Sequence, residues 1–156
     1  MKTISVLTFF LFSIAGFAET VRPAPDFAWE GVSGKTSLKS LRGQPVVMLV
    51  AKSPRVGAFK KQIKRLREAY QQFASRNVVF VAAFSENDDR VNSDIPFVVA
   101  SNGPRVIADF GVTEPFELIV IGKDGNVDLQ TSRVCPASRV RDVIQNSFTA
   151  QAAERK

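Results

Sequence analysis

The sequence holds one thiol, Cys135, and no histidine. Cys135 directly precedes Pro136, and proline suits the first position of a helix, so the thiol is expected at or near the N-cap of a final helix. A helix N-terminus in a favourable site lowers a cysteine pKa from about 8.5 to roughly 3.5 to 7.5. On that basis the thiolate is expected to form below the free-cysteine value and to be open to alkylation. A reactive Cys135 would support a mixed disulfide or a one-cysteine peroxidase step; the plainer reading is a small, partly buried residue. With no second cysteine, no intramolecular disulfide can form. With no histidine, imidazole acid–base catalysis is excluded. Asp88, Asp89 and Asp94 sit in a polar stretch, SENDDRVNSD, that lacks the glycine and terminal glutamate of a calcium loop, so it reads as a solvated connection. No metal site and no cofactor are expected.

The elements that would position such a thiol are organised around residues 46–73. Val46 to Val50 is a continuous apolar run, as expected of a strand covered on both faces. Ser53 offers an N-cap oxygen and Pro54 suits the first helical position, so a helix is expected to begin there. Val56, Phe59, Ile63, Leu66, Tyr70 and Phe73 then recur at helical spacing on one face, with Lys60, Lys61, Lys64, Arg65 and Arg67 on the other. On pattern alone Val56 and Phe59 are ordinary core residues.

Before this unit, residues 22–45 carry prolines, a Ser-Gly turn and a short polar piece, which predicts a β-hairpin or an arm over the domain. After it, Asn77 offers a stop and Val78 to Phe84 a second buried strand, so strand, helix and strand imply a right-handed crossover and a parallel pair. Residues 95–112 predict a short strand, an Asn-Gly-Pro turn, a brief helix and Gly111 as its terminator. Leu118 to Ile121 and Asn126 to Gln130 flank an Asp-Gly turn and predict a hairpin. A last helix is expected from about Pro136, with Val140, Val143, Ile144 and Phe148 on one face.

Residues 1–18 have the pattern of a signal peptide: an early lysine, a short apolar region, and small residues at Gly16 and Ala18. Residues 19–156 are then one domain, expected to be exported to a periplasm or secreted, with no other stretch long and apolar enough to span a membrane. The net charge of +6 permits weak contact with anionic surfaces. Specific nucleic-acid binding is not expected, because the helix's aromatics lie opposite its basic residues.

The strand, turn and helix at 46–73 resemble the active-site segment of the thioredoxin-like redoxin family, which includes thiol peroxidases and exported disulfide reductases. Ala24-Pro25-Asp26-Phe27, Gly34-Lys35, Ser37-Leu38, Leu41 and Gly43-Gln44-Pro45-Val46-Val47 follow the family's opening motifs in order and spacing. The resemblance covers residues 22–148 and implies an α/β thioredoxin-like fold, a central mixed β-sheet with helices on both faces. In the family the helix's first turn carries CxxC and then a basic residue; the matching string here is Val56-Gly57-Ala58-Phe59-Lys60, so both cysteine positions are apolar and dithiol exchange is lost. Relatives place a cis-proline just before the first strand of the last hairpin. Pro115 is the only proline available, while counting back from Gly125 puts Phe116 there. Val134-Cys135-Pro136-Ala137 is similar to the resolving-cysteine motif of two-cysteine peroxiredoxins, but lies before the last helix rather than after it.

The resemblance thus implies a redoxin with a degenerate CxxC that binds a protein or extended peptide in a remnant groove around Ser53, Arg55, Val56, Phe59, Pro115 and Phe116. The alternative is a thiol-dependent oxidoreductase or peroxidase-like protein acting through Cys135, which here lacks the threonine and proline-rich turn of peroxidatic sites. A third reading is a structural or regulatory subunit that meets acidic surfaces through the basic helix face.

Overall fold

The computed structural model describes residues 22–87 and 90–153, without the side chains of 148–153. The expected signal peptide, Asp88, Asp89 and the side chain of Phe148 lie outside the described residues.

The chain opens with an antiparallel hairpin, β1 (Ala28–Gly31) and β2 (Gly34–Ser37), followed by a single 3₁₀ turn at Leu38–Leu41. Its centre is β3 (Val46–Ala51), in which all six side chains are buried, as a strand covered on both faces requires. β4 (Val79–Phe84) pairs parallel to β3, and β5 (Phe97–Val99) parallel to β4. β6 (Phe116–Ile121) pairs antiparallel to β3 on its other side, and β7 (Val127–Thr131) antiparallel to β6. The sheet order is β5-β4-β3-β6-β7.

Strand alternation divides the core in two. Val47, Leu49, Ala51, Phe80, Phe84, Leu118 and Val120 face α1 (Gly57–Arg67), α2 (Tyr70–Ala74) and α4 (Ala137–Ala153). Val46, Met48, Val50, Val81, Ile119 and Ile121 face α3 (Gly103–Asp109) and the β1–β2 hairpin, with Phe27, Trp29, Val106 and Phe110 packed among them. This is the mixed sheet with helices on both faces that the resemblance implies.

Two local features differ from the sequence reading. The central helix starts at Gly57, with Val56 as its N-cap, three residues later than Ser53 and Pro54 suggest. Ser53 instead closes a turn: its hydroxyl accepts from the Arg55 N–H at 3.3 Å and its carbonyl from the Val56 N–H at 3.3 Å. Such local side-chain bonds compete with helix formation at a helix entrance. The helix also breaks at Ala69, where φ is −126°. The last turn of α1 tightens to three-residue bonds, Glu68 N–H to Arg65 and Ala69 N–H to Leu66, and the chain then restarts as α2. Leu66 and Phe73 stay fully buried across the break, and Phe73 meets Phe80 edge-on at 5.8 Å.

Candidate functional site

β3 ends at Ala51, β4 at Phe84 and β7 at Thr131, all on one edge of the sheet, because β7 runs antiparallel to β6 and therefore parallel to β3. β6 enters from the same edge at Phe116, which pairs with Ala51. The N-terminus of α1 and the approach to α4 therefore come together there. This is the edge at which ligands meet open α/β sheets.

At the α1 entrance, Val56 is the N-cap and its carbonyl accepts from the Lys60 N–H at 3.1 Å. Val56 is half-buried against the core. Phe59, one turn in, is 1% exposed, with its ring 5.2 Å from Phe84 and 6.3 Å from Phe97. Neither residue offers a dissociable proton or a nucleophile.

Cys135 lies in the segment between β7 and α4 and is 5% exposed. Its backbone is gripped by Gln62 of α1: Gln62 Oε1 accepts from the Cys135 N–H at 2.8 Å, and Gln62 Nε2 donates to the Cys135 carbonyl at 3.0 Å. The thiol donates weakly to the Arg133 carbonyl at 3.6 Å. The expectation of a lowered pKa fails here. Burial pushes the Cys135 thiol above the ordinary value, and the opposing attraction and hydrogen bond from Arg139 do not reverse the direction. The proximity of a helix start does not compensate for the water removed.

Of the other groove candidates, Arg55 is exposed and, with Phe59, lines a cleft of about 530 Å³ that runs along α1 as far as Arg67. Ser53 and Phe116 are 7% and 3% exposed, so they support the edge from beneath and give a ligand almost no surface. Pro115 is exposed, does not line the cleft, and is joined by a trans peptide bond. The basic residues Lys60, Lys61, Lys64, Arg65 and Arg67 are all exposed. Arg65 pairs with Glu68 at 3.5 Å and Arg67 with Asp94 at 3.3 Å.

Two buried polar groups were not anticipated. Gln62 is fully buried although its neighbours Lys60, Lys61 and Lys64 are exposed. Its place three residues after Phe59 and four before Leu66, inside the apolar stripe, is the signal that could have found it. Glu117 is 6% exposed in the otherwise apolar β6; Gln130 Nε2 donates to it at 2.6 Å and also to the Phe110 carbonyl at 3.2 Å, while Arg22 donates to Gln130 Oε1. Among the described residues no three histidine, cysteine, aspartate or glutamate side chains gather to hold a metal.

A mixed sheet of this order, with a helix springing from the end of its central parallel strand, defines a thioredoxin-like redoxin domain. The chain belongs to the AhpC/TSA family, whose model matches residues 21–130. Its structure is similar to a thiol:disulfide interchange protein from a Bacteroides species, at 14% identity and a TM-score of 0.65, with 83% of this chain and 90% of that one covered. A thioredoxin-family thiol:disulfide interchange protein from Chlorobium tepidum is similar at 20% identity and a TM-score of 0.62, covering 82% and 97%. Thioredoxin peroxidase I of Plasmodium yoelii is similar at 18% identity and a TM-score of 0.63, covering 86% and 92%. At these identities the likeness concerns the fold. No curated protein sequence matches the chain.

Proposed function

We propose that this protein is an exported redoxin that has lost its dithiol and binds a protein or extended peptide at the edge where α1 begins. The observation that carries this reading is the pairing of Val56 at the N-cap with Phe59 three residues on, the spacing of a CxxC, with apolar side chains at both places. Thiol–disulfide exchange needs a thiolate to attack and a second thiol to resolve. Here the single thiol is buried, uncharged at neutral pH and carried on a backbone that Gln62 holds in place. What the edge retains is an exposed Arg55, a half-buried Val56 and the adjoining cleft. The signal-peptide pattern of residues 1–18 supports export, and no described helix is long and apolar enough to cross a membrane.

A second reading, a one-cysteine peroxidase or mixed-disulfide former, has one observation in its favour: the positive charge of Arg139 acts to lower the Cys135 pKa, against the larger effect of burial. Peroxide consumption and insulin-disulfide reduction by the protein and its Cys135→Ser variant separate the two. The binding reading expects neither activity in either form. Turnover that disappears with Cys135→Ser overturns it in favour of the thiol enzyme.

A further inference from the structure

Resting on that binding reading, we infer that the cleft beside α1 takes an acidic extended segment of a partner protein, one that carries an apolar anchor side chain between carboxylates. Lys60, Lys64 and Arg67 recur at i, i+4 and i+7 and so form one wall. Arg55, from the turn before α1, and Arg90, from the loop before β5, also line the cleft. Among the described residues, every charged side chain that lines the cleft is a cation. Asp94, which is 83% exposed, pairs with Arg67. Among the described residues Lys60 and Lys64 make no ion pair. Lys61 and Arg65, one position further round the helix, do not line the cleft.

Pro54, Ile63 and Val91 give the cleft an apolar floor beneath these cations. A floor of that kind selects the class of partner. Single-stranded nucleic acid would meet the cations with phosphate but stacks its bases on exposed aromatic faces, and here Phe59 and Phe73 are buried. A bilayer surface calls for a broad basic face, whereas these cations surround a concavity of about 530 Å³, room for a few side chains. A peptide with one apolar side chain seated on Ile63 and Val91 and carboxylates reaching Lys60 and Lys64 satisfies both floor and wall. The cleft thus has a narrower specificity than the overall positive charge of the helix suggests.

The test is fluorescence anisotropy with three labelled dodecapeptides, each with one central phenylalanine, flanked by glutamates, by glutamines or by lysines. The acidic peptide should bind at least tenfold more tightly than the neutral one in 50 mM salt, and most of that advantage should vanish at 500 mM. The Lys60→Glu plus Lys64→Glu variant should lose the advantage, while Lys35→Glu plus Arg42→Glu, elsewhere on the surface, should keep it. Val91→Asn, which removes apolar floor without adding charge, should weaken the acidic and neutral peptides alike. Circular dichroism melts establish that each variant is folded. Equal binding of acidic and neutral peptides would overturn the charge assignment and leave the binding reading intact; absence of binding by all three would remove both. Single-stranded DNA or phosphatidylglycerol vesicles binding as tightly as the acidic peptide, with the same dependence on Lys60 and Lys64, would make the cleft a general anion surface and overturn the inference.

Discussion

The side-chain amide of Gln62 closes two hydrogen bonds on the backbone of Cys135, accepting from its N–H at 2.8 Å and donating to its carbonyl at 3.0 Å. The two residues are 73 positions apart, so one amide ties the middle of α1 to the segment that leads into α4. Because it uses both ends of the amide and satisfies two backbone groups on a buried residue, it replaces the ladder bonds that this irregular segment does not have.

Replacing Gln62 with leucine should therefore be costly in spite of the gain in apolarity. Both Cys135 backbone groups would be left unpaired away from water, at about 1 to 3 kcal/mol each. Denaturant unfolding should show a loss of roughly 2 to 6 kcal/mol, or failure to fold if the domain is of ordinary stability. A Gln62→Leu variant within 0.5 kcal/mol of the parent would mean that the clasp is replaced by water.

The raised pKa of Cys135 sets a pH dependence whose sign is fixed. The unfolded chain releases the thiol proton at about 8.5, whereas the folded chain holds it to higher pH. The stabilising contribution is then fully present below the unfolded value and lost as pH rises from there toward the folded one. Stability measured from pH 7 to 10 should fall more steeply for the parent than for Cys135→Ser. Iodoacetamide should label the native protein much more slowly than the denatured protein at pH 8. Fast native labelling at that pH would restore the reactive-thiol reading.

The sheet and its order of elements were legible in the sequence because runs such as Val46 to Val50 and Val78 to Phe84 are apolar throughout, and a buried parallel strand has few other ways to look. Where α1 begins was not, because Ser53 and Pro54 satisfy the rules for a helix start and equally those for a turn; the hydrogen bond from the Arg55 N–H to the Ser53 hydroxyl selects the turn. The clasp between Gln62 and Cys135 was beyond sequence reach for a different reason. It joins distant positions through one neutral side chain, and no local pattern announces which buried backbone will need it. The direction of the Cys135 shift was missed because proximity to a helix start is visible in a sequence and the depth of burial is not.

Gly103 tests how closely α3 is pressed against the sheet. A Cβ at this position would lie 1.8 Å from the Phe84 carbonyl oxygen, a backbone atom that can move only by shifting the end of β4. Gly103→Ala should cost more than the roughly 1 to 3 kcal/mol usual for overpacking. Since the Phe84 ring also packs at a tilt against Phe59, the strain should reach the cleft and weaken peptide binding. A Gly103→Ala protein that melts like the parent would show that α3 can lift from the sheet freely.

The degenerate CxxC assignment is tested by putting the thiols back. Val56→Cys together with Phe59→Cys places sulfur atoms at the N-cap and one turn into α1, within reach of each other, with Lys60 following and the free N–H groups of the helix start beside them. The Lys60 N–H bond to the residue 56 carbonyl is backbone and survives the change. Loss of the Phe59 ring from its contacts with Phe84 and Phe97 should destabilise by about 2 to 4 kcal/mol, which the new disulfide would partly offset. The variant should show an internal disulfide reducible by dithiothreitol and should reduce insulin measurably, while the parent does neither. Because Val56 is half-buried rather than closed off, the thiol at 56 should be the attacking one and the thiol at 59, behind it, the resolving one. Alkylation of the reduced variant should accordingly modify position 56 first. A folded double variant whose two thiols stay free under oxidising conditions would show that these positions are not the vestige of a dithiol site, and the descent of the cleft from a redox groove would fall with it.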